Sequence, residues 1–89
     1  MLDWQARQRE NPRDWSATVG PFTIELKRVS ALSDIPRYRA ELVSAGIKYP
    51  LFYNRTGDVL TTQRHAEEQA QEVLSALSET VSEGLQAFG

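Results

Sequence analysis

The sequence predicts a small single α+β domain, with helices packed on one face of an antiparallel or mixed sheet. Three observations carry that class: apolar residues alternate with period two over residues 15–26, a turn signal at 54–57 sits between two short apolar runs, and a long helical stripe fills residues 63–89. The expected order is one or two strands, a helix, a β-hairpin and a long C-terminal helix.

Residues 1–14 alternate polar and charged groups around Trp4, and Asn11 followed by Pro12 breaks any helix begun at Asp3. They are expected to form an arm, either flexible or holding one short turn, ahead of a single domain over residues 15–89. Trp4 then either packs on its own domain or docks on a partner, because large aromatics serve both cores and interfaces.

From Trp15 the parity is clear: Trp15, Ala17 and Val19 share one face, and Phe22, Ile24 and Leu26 share the other after a flip at Gly20 and Pro21. Glycine permits a bulge and proline removes a ladder donor, so the expectation is a bulged strand or two consecutive strands with Pro21 at an edge, rather than a tight two-residue hairpin. Thr23, Glu25 and Lys27 would line a wet face. Ser33, Asp34, Ile35 and Pro36 then read as a helix start with Ser33 as N-cap, and Ile35, Tyr38, Leu42 and Ala45 recur at helical spacing. Gly46 is the expected stop of that helix, with Ile47 making the closing apolar contact.

Residues 48–53 and 58–62 flank Asn54, Arg55, Thr56 and Gly57, which read as a type I turn closed by a bulged glycine, hence a hairpin. Pro50 would put its strand at an edge. Thr61 or Thr62 is the expected cap of the final helix, which would fray or end near Gly84. In that helix Ala66, Ala70, Val73, Leu74, Leu77, Val81, Leu85 and Phe88 share one side at about 100° per residue, while Glu68, Glu72, Glu79 and Glu83 line up opposite. The stripe is longer than a two-helix, few-stranded domain needs. Either the last turns overhang and meet a second copy, or Gly84 bends the chain back over the core.

Composition narrows the function classes. With 40% hydrophobic and 25% charged residues the chain is an ordinary globular sequence, and no run approaches the roughly 18 apolar residues of a membrane span. The first residues show no basic region followed by an apolar run, so no secretory signal is read and a cytoplasmic setting is expected. With no cysteine and one histidine, disulfides, thiolate metal sites and multi-histidine metal sites are all excluded within one chain. No cofactor or metal is expected. Residues 1–62 carry a net charge of +2 and residues 63–89 a net charge of −4, which argues mildly against binding duplex DNA over the whole surface.

The candidate sites follow from that asymmetry. Glutamates four residues apart repel, and Glu79 and Glu83 lie toward the negative end of the helix dipole, so the ridge of Glu68, Glu72, Glu79 and Glu83 is slightly costly as pure structure. It reads either as a solvated face or as a contact for a larger protein with a basic surface, aided by an exposed aromatic such as Trp4 or Tyr53. Tyr49, Phe52 and Tyr53 with Lys48, Arg28 and Arg55 form a weaker candidate, a sheet surface that stacks single-stranded nucleic acid. Tyr49 and Tyr53 share a parity that Phe52 does not. His65 beside Glu67 and Glu68 lacks a cleft and a third group, no serine sits in a nucleophile elbow, and no glycine loop cradles phosphate. The expected function is therefore a non-catalytic protein-binding regulator or inhibitor, of the kind phages and mobile elements direct at host nucleic-acid machinery. A nucleic-acid-binding accessory protein and a structural homodimer paired through the C-terminal helix are the alternatives.

Overall fold

The computed structural model describes residues 2–10, 12–29 and 36–88. The described residues build a five-stranded antiparallel meander and then one helix: β1 (Gln5–Ala6), β2 (Asp14–Val19), β3 (Phe22–Arg28), β4 (Arg37–Ser44), β5 (Ile47–Thr56) and α1 (Val59–Gln86). Each strand pairs with its neighbours in sequence, so the spatial order is β1-β2-β3-β4-β5. This is the small α+β class expected, with a different element in the middle.

The period-two residues stack into rows across the sheet. Trp15 lies opposite Leu26, Leu26 opposite Ala40 and Ala40 opposite Phe52; Ala17, Ile24, Leu42 and Tyr49 form the next row. Ile24, Leu26, Ala40 and Leu42 are fully buried, and α1 covers them with Ala66 and Ala70, whose small side chains let the helix lie close on the strands. Trp15 meets Tyr38 edge to face at 5.9 Å. Alternate residues line the other face, which the helix leaves bare: Glu25 opposes Glu41 across β3 and β4, and Arg7 and Arg39 offset that repulsion at 3.1 and 3.6 Å from Glu25 and Glu41 respectively.

Five local expectations are corrected. The segment read as a helix through Tyr38 and Leu42 is β4; the cap residues Ser33, Asp34 and Ile35 lie outside the described residues. Tyr38 and Leu42 suit both periods, and Ala40 decides between them, because it sits on the buried face only in a strand. Ala45 and Gly46 do not stop a helix but form the two-residue turn between β4 and β5. Both take positive φ, 52° and 81°, which is the type I′ hairpin signature. Gly20 and Pro21 do form a tight hairpin, since Val19 pairs with Phe22; Gly20 supplies φ of 57° at the first turn position, and the second position of a type II′ turn suits the fixed negative φ of proline. Lastly, the 54–57 hairpin does not exist. β5 runs straight through Asn54 and Arg55 to Thr56, and Asp58 rather than Thr61 or Thr62 caps α1, its carboxylate accepting the Thr61 amide at 2.7 Å.

Residues expected to form a loose arm pack on the domain. β1 pairs with β2, and the Glu67 carboxylate accepts the Leu2 amide at 3.1 Å and the Trp4 indole N–H at 2.9 Å.

Candidate protein-interaction surface

A helix of 28 residues is about 42 Å long. The sheet supports only its first two-thirds. Thr62, Gln63, Ala66 and Ala70 are buried, Val73, Leu74 and Leu77 are half-buried, and every described residue from Ser78 onward is exposed. Val81, Leu85 and Phe88 stand 58%, 66% and 92% exposed, so the apolar stripe continues beyond the core it serves. The molecule is accordingly long and thin, 54 Å by 23 Å by 22 Å. Of the two alternatives for the stripe, the overhang is the one realised; α1 continues through Gly84 without turning back.

The side of α1 turned away from the sheet carries the acidic ridge. Glu68, Glu72, Glu79 and Glu83 are all exposed, and no basic residue follows Arg64 to neutralise them. His65 comes within 3.8 Å of Glu68, but its ring packs on Phe52 at 5.4 Å between centroids, which accounts for it as a packing residue. The ridge extends over about 22 Å of helix. It runs from the rooted part onto the overhang.

The two expected aromatic companions lie toward opposite edges of the sheet. Trp4 is half-buried with its indole N–H committed to Glu67, while Tyr53, 67% exposed, lies on β5 at the opposite edge of the sheet. The aromatic sheet surface is also rearranged. Register shifts in β5 carry Tyr49 and Phe52 to the same face, opposite Leu42 and Ala40, where both pack against the core. Tyr53 is left as the exposed aromatic of that strand.

Besides a shallow depression along Glu68, Gln71, Glu72 and Ser75, two cavities adjoin the helix among the described residues. One of about 280 Å³ lies beside α1 and is lined by Leu2, Val19, Ile24, Ala70 and Leu74 together with the polar Glu67 and Gln71. The other, about 440 Å³, lies at the root of α1 and is lined by Pro12, Arg13, Trp15, Arg28, Tyr38 and Val59. Burial pushes the Tyr38 phenol above its usual 10.0, an effect that Arg28 opposes and Asp58 reinforces. At the cap, the Thr61 amide holds the Asp58 carboxyl below its usual range, with the Thr61 hydroxyl adding a second bond at 3.1 Å.

Sequence reasoning found the ridge and the stripe but missed Glu67 and the cavity at Leu74. Glu67 carries one signal, its place at the border of the apolar stripe rather than on the ridge. Among the described residues no helix is long and apolar enough to cross a membrane. No known protein family matches the chain, and no curated protein or solved structure shows significant similarity to it.

Proposed function

We propose that the chain is a non-catalytic protein-binding regulator or inhibitor that lays the acidic ridge of α1 on a basic surface of a larger protein. The supporting observation is that the last third of α1, from Ser78 onward, projects clear of the sheet while Glu68, Glu72, Glu79 and Glu83 form an exposed column along the helix with no basic residue after Arg64. A helix that served only to cover the sheet could end near Leu77. Carboxylates near a helix C-terminus cost a little stability, which a basic partner would offset. Proteins that bind nucleic acid present such surfaces, which suits a regulator of nucleic-acid machinery, phage-borne or carried on a mobile element, in the cytoplasm.

The test begins with a pull-down from an extract of the source organism and continues with purified partner. Replacing the four glutamates by glutamine should slow association about tenfold or more at low salt and flatten its salt dependence. Unchanged association sinks the proposal. Titration with single- and double-stranded oligonucleotides at two salt concentrations addresses the nucleic-acid alternative; tight, salt-sensitive binding would favour it.

A further inference from the structure

The apolar side of the overhang is chemically distinct from the ridge. Around it, Ser78, Thr80, Ser82, Gly84 and Ala87 are small and uncharged, and the charges beyond Leu74, Glu79 and Glu83, lie on the opposite side of the helix with Ala76 between them and Glu72. Two such helices can approach across the stripe without like charges meeting. A partner chosen for charge would find nothing to pair with there.

The sheet supplies a second constraint. It sits on the stripe side of α1, so two helices running parallel, stripe to stripe and 8–10 Å apart, would each drive their sheet into the partner's space. An antiparallel pair places the sheets at opposite ends. The sequence contains one register that satisfies this arrangement. With Val81 facing its own copy, Leu77 meets Leu85 and Leu74 meets Phe88, so every large apolar residue of the overhang meets another, while Ser78 falls level with Gly84. Sliding further would force Phe88 into the hairpin that follows Val19.

That register also accounts for the cavity at the root of the overhang. Phe88, 92% exposed at the helix tip, would arrive beside Leu74, which lines the opening of about 280 Å³ with Leu2, Val19, Ile24 and Ala70 on its apolar wall and Glu67 and Gln71 as its polar members. An apolar ring suits that apolar wall, and Glu67 already has the Leu2 amide and the Trp4 indole as partners. Phe88, Leu85 and Val81 of each copy, with the part of Leu74 and Leu77 still exposed, would bury at most about 1,000 Å² in all, the size at which specific interfaces begin.

We infer that a second copy of this chain covers the stripe, α1 packing antiparallel on α1 about a two-fold axis at Val81, with each Phe88 entering the cavity beside Leu74 of the other copy. This interface uses the face opposite the acidic ridge and leaves both ridges open, so it stands or falls apart from the proposed function.

Sedimentation equilibrium of the full chain should give a reversible dimer. Phe88→Ala, which removes two rings per dimer, should raise the dissociation constant roughly a hundredfold. Val81→Glu should give a monomer whose circular dichroism matches the parent. Because the chain has no cysteine, the register can be read directly. Under a glutathione redox buffer, Val81→Cys should cross-link to itself, and a mixture of Leu74→Cys and Phe88→Cys chains should cross-link to each other, while Ser75→Cys, on the far side of the helix, should not. A chain that stays monomeric at several hundred micromolar overturns the inference, as does a dimer that survives Val81→Glu or cross-links through Ser75→Cys in preference to Val81→Cys. Any of these results leaves the ridge experiment unaffected.

Discussion

The rooted part of α1 and its overhang carry the same apolar periodicity in different surroundings. In the rooted part the fully buried stripe residues are small, Ala66 and Ala70, in one core with Ile24, Leu26 and Leu42, with Val73 and Leu74 half-buried at its edge; in the overhang the stripe is made of large ones, Val81, Leu85 and Phe88, that stay exposed. Residue size follows the available space. Alanines suit a helix lying directly on a pleated surface, whereas leucine and phenylalanine suit a helix whose neighbour stands further away. Periodicity therefore identifies the apolar face, and side-chain size along it suggests where the covering element changes.

That contrast can be broken most sharply with one charge placed in each part. Ala70→Glu should cost about 3–5 kcal/mol by burying an unpaired carboxylate, whereas Val81→Glu should cost the monomer no more than about 0.5 kcal/mol. Urea titrations at low concentration would measure both. Equal losses would mean that the overhang belongs to the fold. Next in size, Glu67→Ala removes the acceptor of the Leu2 amide and the Trp4 indole, with an expected loss of about 1–2 kcal/mol. Hydrogen exchange should show lost protection at Gln5 and Ala6 and little change beyond Leu77.

A gain is expected at the β4–β5 turn. Ala45 holds φ of 52°, where an L-residue with a Cβ is strained, so Ala45→Gly should stabilise the sheet by about 0.5–1 kcal/mol while leaving the overhang untouched. Thermal melts would check it. A shallower effect belongs to the cap. The Thr61 amide and hydroxyl depress the Asp58 pKa in the folded chain, so its contribution is present above the ordinary value of 3.8 and fades as pH falls through the folded value. Asp58→Asn should flatten that part of the acid titration of stability. The smallest change should come from ending the chain after Leu77, which removes the last third of α1 yet should leave the melting temperature of the monomer within a few degrees, since every described residue removed is exposed.

Much of this architecture was legible in the sequence, and the errors share a cause. β2, β3, their buried parity and their wet face follow from alternation at Trp15, Ala17, Ile24 and Leu26, because a half-buried strand imposes period two on its residues. β4 was hidden because Tyr38 and Leu42, four apart, satisfy both the strand and the helix template, and the residue that separates them, Ala40, is also a favourable helix former. The turn at Ala45 and Gly46 lacks the usual Asn-Gly or Asp-Gly pair. Conversely, Asn54 to Gly57 has turn chemistry, yet β5 stays extended there because pairing with Arg37 and Tyr38 holds it. Register shifts in β5 then broke the parity argument for Tyr49, Phe52 and Tyr53. Of the candidate site, the four ridge glutamates were legible from spacing alone, whereas the loss of Trp4 to Glu67 depended on a contact 63 residues away in the chain.

By itself the sequence determined the local patterns: an α+β class, two alternating strands, and a long helix with one apolar and one acidic side. These depend on spacing along the chain, which backbone geometry converts directly into faces. Only the tertiary structure decided how far the sheet reaches under that helix, which aromatic residues the shifted register turns inward, and that Leu77, Val81, Leu85 and Phe88 extend past their own core. Those outcomes depend on strand count and pairing across distant segments, and no periodicity within a single segment encodes them.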